Sequence, residues 1–211
     1  MENDEIVWVK QNAILISQTA LPLWIINTVA RVCYNSNMPE DFGKQTEFVK
    51  ALIRREHESP LEFVDFIWGI TTSRAIANEL VRHRIASYMQ ESTRYVGYQQ
   101  IKMIEPVNSE PGMYNKYEVG EAAKQAFIHY RALVQNGVSK QNARDVLPIG
   151  MATTIYCKMN LREFRHFLSL RIAKPAHPMM RDLAKKMVKA VRNSMPWEYS
   201  EAMLYGLELD C

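Results

Sequence analysis

The sequence of 211 residues has few cysteines and histidines, and neither residue type is arranged to hold a metal. Its three cysteines, Cys33, Cys157 and Cys211, are widely spaced, and no CxxC motif is present. This spacing argues against a disulfide framework and against a structural zinc site. The five histidines form no HxxxH pair, so we predict no metal site. A reducing compartment is the default for such a sequence, and we therefore expect a cytoplasmic protein.

Long hydrophobic runs are also absent. The longest apolar run, residues 20–26, contains a proline and is far shorter than the roughly 20 residues that cross a bilayer. The chain begins Met-Glu-Asn-Asp-Glu, which is acidic where a secretory signal would be basic. We therefore expect neither membrane insertion nor export.

Glycine-rich nucleotide motifs are missing as well, since the sequence has no Walker loop and no GxGxxG. Any nucleotide would have to be held by arginine clusters and helix ends. The composition, with 47% hydrophobic and 23% charged residues, is typical of a globular protein. The net charge of +3 fits an anionic small molecule as well as nucleic acid. No repeat or linker divides the chain, so we predict a single domain over residues 1–211.

Hydrophobic periodicity predicts a helix-rich α+β protein. Strands are predicted within residues 6–16 and 63–72. Helices are predicted at residues 22–34, 45–58, 74–84, 113–135, 161–173 and 178–193. Ser73 is a predicted N-cap for the third of these helices. Residues 35–44 read as a loop, and residues 88–103 as irregular or extended chain.

The most unusual segment, residues 82–95, reads RHRIASYMQESTRY. It combines three arginines with a turn rich in hydroxyl and amide groups. Arginine binds phosphate bidentately and stacks on flat rings, and hydroxyl and backbone donors can complete an anion cradle. The pattern therefore favours an anion or nucleotide site. The alternative is that Arg82, His83 and Arg84 form a basic helix end that complements the helix dipole.

The predicted helix 161–173 has an apolar face that ends in an arginine. The residues of this face, at spacings of three, four and three, are Leu161, Phe164, Leu168 and Arg171. Because a charge on an apolar stripe needs a partner, Arg171 is predicted to point into a site, unless its long stem reaches solvent at the helix end. Arg162 and His166 share a different face, which is either solvated or a binding surface. Arg165 lies on a further face, and its replacement by alanine is expected to cost little activity.

The last predicted helix is basic on its outer face, which carries Lys185, Lys186, Lys189 and Arg192. Such a face is usually solvated. Together with residues 82–95, however, it supports the alternative hypothesis of a nucleic-acid-binding protein with salt-dependent affinity for DNA or RNA. Aromatic residues are not interleaved with the basic run as they are in stacking platforms. We therefore expect no stable nucleic-acid partner.

Residues 82–95 resemble the hallmark RHRxxSxNExSxRY of the flavin-dependent thymidylate synthases. The matching residues are Arg82, His83, Arg84, Ser87, Ser92, Arg94 and Tyr95. Met89 and Gln90 depart from the Asn-Glu pair, and Glu79 stands where many relatives have glutamine. Three further segments resemble family motifs in the same order: HESPLEF at 57–63, ARDVLP at 143–148 and NLREFRHF followed by LR at 160–171. The four motifs together make the resemblance highly specific.

The resemblance implies an α+β fold in which helices pack on a twisted, mostly antiparallel sheet, and a homotetramer with sites between subunits. It also implies reductive methylation of dUMP to dTMP, with 5,10-methylenetetrahydrofolate as carbon donor, FAD as bound hydride carrier and NADPH as reductant. Carried over by position, the residues that would bind FAD are Ser59 (toward a neighbouring subunit), Arg82, His83, Arg84, Gln90, Asn160, Arg162 and His166. Those that would bind dUMP are Glu79, Arg82, Gln90, Glu91, Ser92, Thr93, Arg94, Arg144 and Arg171. In the same way, Arg171 would be the catalytic residue that polarises the uracil at N3.

No side chain is predicted to act as a nucleophile. Ser92 has no recognisable base partner and is assigned to substrate binding. Cys33 and Cys157 have no histidine partner either and read as packing residues. A catalytically inactive nucleotide-binding relative is a second alternative, left open by the departures at Met89 and Gln90. Turnover would separate that alternative from the enzyme.

Overall fold

The computed structural model describes residues 6–33, 35–107 and 115–209. Within these ranges there are eight α-helices and six strands, so the predicted helix-rich α+β class is confirmed. The helices are α1 (Pro22–Val32), α2 (Phe42–Arg54), α3 (Arg74–Leu80), α4 (Lys116–Gln135), α5 (Lys140–Ala143), α6 (Leu161–Arg171), α7 (Pro178–Arg192) and α8 (Trp197–Met203). The strands are β1 (Val7–Val9), β2 (Asn12–Gln18), β3 (Asp65–Ser73), β4 (Ala86–Gln90), β5 (Lys102–Ile104) and β6 (Ala152–Asn160).

Several helix ends differ from those predicted, and a cap explains one of the differences. α2 begins at Phe42 because the Asp41 side chain accepts a hydrogen bond from the Lys44 amide at 2.7 Å. α3 begins after Ser73 as predicted, but it ends at Leu80 and has no basic residue in its last turn. The interpretation of residues 82–84 as a basic helix end is therefore wrong. The predicted limits at residues 34 and 113 lie outside the described residues.

Strand β6 is absent from the predicted elements, although its sequence carries a period-two signal. Buried and exposed residues alternate along its length, with Ile155, Cys157 and Met159 buried and Tyr156 and Lys158 exposed. The alternation is hard to recognise in the sequence because polar Thr153 takes a buried position and aromatic Tyr156 an exposed one. α5 and α8 are short and are also absent from the predicted elements.

The strands form two sheets. β1 pairs with β5 in parallel, with Val7 opposite Lys102 and Val9 opposite Ile104. The other sheet has four strands in the order β2-β3-β6-β4. The resemblance implied a mostly antiparallel sheet, and the β1–β5 pair adds a parallel pairing to the fold.

The chain divides into two compact units. Unit 1 comprises residues 1–12, 70–82 and 89–155, and unit 2 comprises residues 13–69, 83–88 and 156–211. Each unit has its own hydrophobic core. Across the described ranges, no helix is both long and apolar enough to cross a bilayer.

The core of unit 1 forms around α4. Phe127 and Tyr130 on this helix are buried together with Met103 of β5 and Met151, and Trp8 of β1 packs against them. The long helix and the parallel strand pair thus bury a common apolar surface. This core supports the loops that carry most of the predicted substrate residues.

The core of unit 2 is aromatic. Trp68 on β3 lies 4.8 Å from the Phe164 ring on α6, and Phe66 lies 5.3 Å from Trp68, measured between ring centroids. Leu161 and Leu168 on α6 are also buried, so the predicted apolar face of this helix is confirmed. α7 packs on α6. These contacts fix α6, the helix that carries Arg171.

Candidate active site

A buried histidine in unit 2 links two of the sequence motifs. His83 is 5% exposed, and its Nδ1 lies 3.1 Å from Oε1 of Glu163. On the other side of the ring, Nε of Arg171 donates to His83 Nε2 at 3.0 Å. Glu163 is also 5% exposed, so its carboxylate is satisfied inside the protein. The arginine-rich segment and α6 therefore meet through one imidazole ring.

The hydrogen bonds of His83 define its protonation state. Because arginine can only donate, the Nε2 that it contacts must be the unprotonated nitrogen, and Nδ1 carries the proton toward Glu163. Burial lowers the pKa of His83, the hydrogen bond to Glu163 opposes that change, and the charge of Arg171 adds to the lowering. The ring is therefore neutral at neutral pH. Both ring nitrogens are engaged, so the FAD contact implied for His83 would have to come from another part of the residue.

The cysteine near Tyr88 and His83, Cys157, is not a reactive thiol. Tyr88 Oη donates to the His83 carbonyl oxygen at 2.9 Å, and burial raises the pKa of Tyr88 above its ordinary value. Cys157 is fully buried, and burial raises the pKa of its thiol to about 12. Such a thiol is not a thiolate at neutral pH. Cys33 is exposed, and Cys211 lies outside the described residues.

The exposed face of α6 borders a cavity of about 590 Å³ within unit 2. Arg162 lies at its rim and pairs with two carboxylates, with Nε 3.3 Å from Glu58 Oε2 and Nη1 2.6 Å from Glu62 Oε1. Asn160 and His166 line the same cavity. Asn160 also caps α6, because its Oδ1 accepts from the Glu163 amide at 2.9 Å. The structure thus brings together three of the predicted FAD residues.

This cavity fits part of a flavin. Its volume lies in the range of small-molecule sites, and Ile85 and Leu207 supply apolar wall against which a flat ring can pack. Among the described residues, Arg165 Nε is buried without a hydrogen-bond partner, and Arg165 also lines the cavity. Glu58, Glu62 and Glu163 outnumber Arg162 and Arg165 in the lining, which therefore carries a small excess of negative charge. The donor set therefore suits the neutral ring or the hydroxyl-bearing chain of a flavin better than its phosphates.

The remaining predicted FAD residues lie elsewhere. Ser59 lines a separate apolar cavity of about 380 Å³ in unit 2, together with Cys33 and His57. Arg84 is exposed in unit 2, and Arg82 is exposed in unit 1. The structure does not bring these three predicted residues into the cavity beside α6.

Unit 1 contains a half-buried polar network around Glu91. Arg74 Nη2 donates to the Glu91 carbonyl oxygen at 2.9 Å and lies 3.8 Å from its carboxylate. Tyr98 Oη donates to Glu91 Oε1 at 2.7 Å. Burial, with this hydrogen bond, raises the pKa of Tyr98 to about 12. Glu91 was predicted from the sequence, whereas its two partners were not.

Two arginines of unit 1 that the resemblance assigns to the substrate site are exposed and loosely held. Arg94 Nε donates to Gln141 Oε1 at 3.1 Å, and Arg144 Nη1 donates to Thr93 Oγ1 at 3.4 Å. Both contacts are exposed. The guanidinium groups can therefore exchange these neutral partners for an anion at little cost. Thr93, Arg94 and Arg144 are close enough together to act on one ligand.

Three other predicted substrate residues of unit 1 have environments of their own. Ser92 Oγ accepts from the Arg94 amide at 3.2 Å and thus shapes the turn. Gln90 Nε2 donates to Thr153 Oγ1 at 3.3 Å. Glu79 is half-buried at the end of α3. Arg171, the remaining predicted substrate residue, belongs to unit 2.

Sequence reasoning missed Glu163 and Arg74, but each carries a signal. Glu163 follows the cap Asn160 by three residues, which reads as an N-terminal capping pattern, yet its carboxylate bonds His83 instead. Arg74 occupies the first position of α3, where a cation is unfavourable to the helix dipole. A charge at a disfavoured position points to another partner, here Glu91.

The expectation that replacing Arg165 costs little activity stays a prediction, but the structure places this residue in a buried position. It is 8% exposed, and its Nη1 donates to the Met203 carbonyl oxygen at 2.7 Å. Burial lowers the pKa of its guanidinium. α6 is thus buried on more than its apolar stripe, because α8 and the residues after it cover the side that carries Arg165.

The basic face of α7 is partly neutralised. Lys186 pairs with Asp182 on the same helix, and Arg192 Nη2 lies 3.0 Å from Glu201 Oε1. Intramolecular pairs of this kind reduce the field available to a phosphate backbone. The structure therefore gives the nucleic-acid alternative less support than the sequence does.

Comparison with known proteins gives consistent results. Residues 14–197 match the family described as "Thymidylate synthase complementing protein". The chain is 36% identical over 197 residues to a flavin-dependent thymidylate synthase of Geobacter sulfurreducens, covering 89% of this chain and 85% of that protein. It is 33% identical over 190 residues to the enzyme of the same name from Pyrococcus abyssi, covering 84% and 77%.

A solved structure agrees with the sequence relatives. It is a UMP/dUMP methylase, PolB, from Streptomyces cacaoi, determined with 5-Br dUMP bound. The two folds superpose with a TM-score of 0.77 at 26% identity, covering 94% of this chain and 96% of that chain. The similarity therefore extends over nearly the whole fold.

Proposed function

The chain belongs to the flavin-dependent thymidylate synthase family, and from that membership we propose that it converts dUMP to dTMP. The family that the four motifs predicted is thereby confirmed. The finer assignments are FAD as the flavin, NADPH as the reductant and 5,10-methylenetetrahydrofolate as the carbon donor, and they form part of this proposal. In such a reaction the bound flavin supplies the hydride that completes the methyl group.

One observation carries the proposal: the contact between His83 and Arg171. It joins the arginine-rich motif to the end of α6 across 88 positions of sequence, with 3.0 Å between the ring nitrogen and the guanidinium nitrogen. The two motifs thus form one group of residues within unit 2. A chance resemblance in sequence would not produce this convergence of independent motifs on a buried contact.

We assign Arg171 to the reacting pyrimidine. A guanidinium does not lose its proton in proteins, so it cannot be the base. Its fixed positive charge can stabilise the negative charge that develops on the uracil as C5 becomes nucleophilic. The hydrogen bond from Arg171 Nε to His83 fixes the direction of the planar guanidinium, whose terminal nitrogens are also donors.

We assign Arg94 and Arg144 to the phosphate of dUMP. Both are exposed and contact neutral side chains, which a dianion would replace as the stronger acceptor. Ser92 and Thr93 directly precede Arg94 in the same turn and offer hydroxyl donors. This group would secure the substrate by its charged end and leave the ring to other residues.

We assign the α6 cavity to the flavin. Asn160 and His166 offer donors at its wall, and Arg162 would keep its carboxylate partners or exchange them for the cofactor. Because the negative side chains in the lining disfavour phosphate, Arg82, Arg84 and Ser59 are left to bind the phosphate-bearing end. The two ends of one flavin would then be bound by residues that line no common cavity within one chain. This arrangement is consistent with a site to which more than one subunit contributes.

A homotetramer is also part of the proposal, and exposed apolar residues support it. Ile14 and Ile16 on β2 are 60% and 52% exposed, and Tyr156 on β6 is 50% exposed. Ile16 and Tyr156 both approach Gly69, so they lie on one face of the sheet. Exposed apolar faces of this kind mark association surfaces. Light scattering should give four times the chain mass of 24.5 kDa, and a fully active monomer would contradict the assembly.

The proposed function is tested on the purified protein. It should show flavin absorbance bands or regain them on addition of FAD, and the released cofactor should run as FAD rather than FMN on chromatography. Tritium release from C5-labelled dUMP should then depend on methylenetetrahydrofolate and on NADPH. Flavin binding without turnover would support the inactive-relative alternative. A colourless protein that takes up no flavin, and that binds DNA with a steep salt dependence, would support the nucleic-acid alternative.

A further inference from the structure

Glu163, His83 and Arg171 form a continuous hydrogen-bonded chain inside unit 2. The first contact is 3.1 Å between Glu163 Oε1 and His83 Nδ1, and the second is 3.0 Å between His83 Nε2 and Arg171 Nε. A carboxylate and a guanidinium are thus joined through a ring that lies between them. The substrate-facing role proposed above belongs only to the last of the three residues.

Helix α6 provides both ends of this chain. Glu163, Phe167 and Arg171 are spaced by four residues each, so they lie on one side of the helix, one turn above another. The His83 ring packs edge-on against Phe167, with 5.1 Å between centroids. The ring therefore rests on the middle residue while its nitrogens reach the outer two. Its position and its plane are both fixed by α6.

Burial strengthens the dependence of His83 and Glu163 on each other as hydrogen-bond partners. The side chains of His83 and Glu163 are 4% and 5% exposed, so water cannot substitute for either partner. A buried carboxylate that loses its donor is costly, and Glu163 therefore holds the Nδ1 proton of His83 in place. With the proton on Nδ1, the lone pair of Nε2 points at Arg171. The tautomer is what makes the ring an acceptor for the guanidinium.

We propose that Glu163 and His83 are positioning residues that orient Arg171 for the reaction, with Glu163 selecting the tautomer of His83 that accepts from Arg171. This inference rests on the proposed function, because it takes Arg171 to be the residue that meets the substrate. Glu163 acts on Arg171 only through the ring. His83 fixes one nitrogen of the guanidinium, so the other two keep a constant direction as the substrate binds and leaves.

The surroundings of His83 keep the ring neutral. Burial lowers the pKa of His83, and the charged or titratable side chains that act on it are Glu163, Arg171 and His166 of α6. Tyr88 of β4 faces the same residue through its hydrogen bond to the His83 carbonyl oxygen. Glu163 favours the charged ring, and the other charged neighbours oppose it. Protonation at low pH would place an N–H against the Arg171 donor and break the contact. Because the folded-state pKa is lowered, this loss occurs only below the usual titration range of histidine.

A double-mutant cycle tests the positioning role. Glu163→Ala in the otherwise unchanged enzyme should lower kcat for dTMP formation by on the order of tenfold to a hundredfold, with the flavin retained, because Arg171 loses its fixed direction. In an Arg171→Ala background the same change should cost less than about twofold, since nothing remains to be oriented. A merely structural role would cost the same factor in both backgrounds, and that result would overturn the proposal.

Conservative variants provide a second arm. Glu163→Gln keeps an oxygen that accepts from Nδ1, so kcat should stay within about threefold of the unchanged enzyme if the hydrogen bond rather than the charge sets the tautomer. His83→Gln should lose less kcat than His83→Phe, because only the amide can accept from Arg171. The control is Glu201→Ala, which removes the ion pair with Arg192 in the same unit and should leave kcat unchanged. Equal losses for His83→Gln and His83→Phe would count against the proposal.

A spectroscopic arm does not depend on turnover. Nitrogen-15 NMR of histidine-labelled protein at pH 7.5 should show His83 as the neutral Nδ1–H tautomer, with the signal assigned through His83→Gln. A ring protonated at Nε2 would overturn the inference even in an active enzyme. If the unchanged protein makes no dTMP, the proposed function fails, and the tautomer still decides whether the Glu163–His83–Arg171 chain exists.

Discussion

The two units hold their charged residues in opposite ways. In unit 2, Glu163 and His83 are almost completely buried, and Arg171 is fixed to them by a ring nitrogen. In unit 1, Arg94 and Arg144 are exposed, and their side-chain hydrogen bonds within the described residues go to the neutral Gln141 and Thr93. The buried residues of unit 2 lose hydration free energy on folding, but their geometry is fixed. The exposed arginines of unit 1 stay hydrated and can move.

This difference assigns different tasks to the two sets. A charge held rigidly in a site with little water stabilises developing charge without rearrangement during the reaction. Exposed arginines instead attract an anion and close on it by replacing weak partners. Substitutions in unit 2 should therefore affect kcat, and those in unit 1 should affect KM.

The strongest test of the buried group is Arg171→Ala. It should retain its flavin but lose on the order of a hundredfold to a thousandfold in dTMP formation, because a fixed charge at the reacting ring is removed. Tritium release from C5-labelled dUMP at saturating folate measures the effect. Arg192→Ala, which also removes a cation from unit 2 but lies in an ion pair on α7, is the control and should lose little. Equal rates for the two variants would mean that Arg171 is only a helix-end residue.

The exposed group is tested by Arg144→Ala. Loss of a charge-assisted contact to phosphate, about 1.5–3 kcal/mol, should raise KM for dUMP by roughly tenfold to a hundredfold while kcat changes little. Steady-state kinetics over a range of dUMP concentrations separates the two constants. Lys102→Ala removes an exposed cation from the same unit and should leave both constants unchanged. A fall in kcat alone would remove the distinction between the units.

Arg165→Ala tests a second buried arginine of unit 2, one whose main expected contribution is to stability rather than to catalysis. The Met203 carbonyl would lose its donor at 2.7 Å, so the free energy of unfolding should fall by about 1–3 kcal/mol. Denaturant titration measures this change. Arg54→Ala, which breaks an exposed contact to Tyr205, should cost less than about 0.5 kcal/mol. If the two variants were equally stable, the Arg165 contact would contribute nothing measurable.

The smallest expected effect concerns cysteine. Burial raises the pKa of the Cys157 thiol to about 12, so it should resist alkylation at pH 8 in the native protein, whereas exposed Cys33 should react. Mass spectrometry after iodoacetamide treatment distinguishes the two. A variant with all three cysteines replaced by serine, if it folds, should still form dTMP. Loss of turnover with the fold and flavin retained would require a thiol nucleophile and would contradict the assignment of catalysis to Arg171.

Local patterns were sufficient for much of this protein. The buried face of α6 follows from apolar residues at helical spacing, and the start of α3 follows from Ser73 as a cap. The family follows from four motifs in order, each a short run of neighbouring residues. These features depend on residues close together in the sequence, where periodicity and capping act directly.

Other features were decided only by the tertiary structure. Glu163 reads as an N-terminal helix residue, and nothing local reveals that its carboxylate meets a histidine 80 positions earlier. Arg165 looks exposed until residues near 203 cover it. In both cases the partner lies far away in the chain, and the burial that gives the contact its strength comes from packing. The sequence by itself determined which residue types were available for the chemistry, and only the fold decided which of them are paired, buried and held in place, because hydrogen bonds between distant segments depend on where the backbone brings them together.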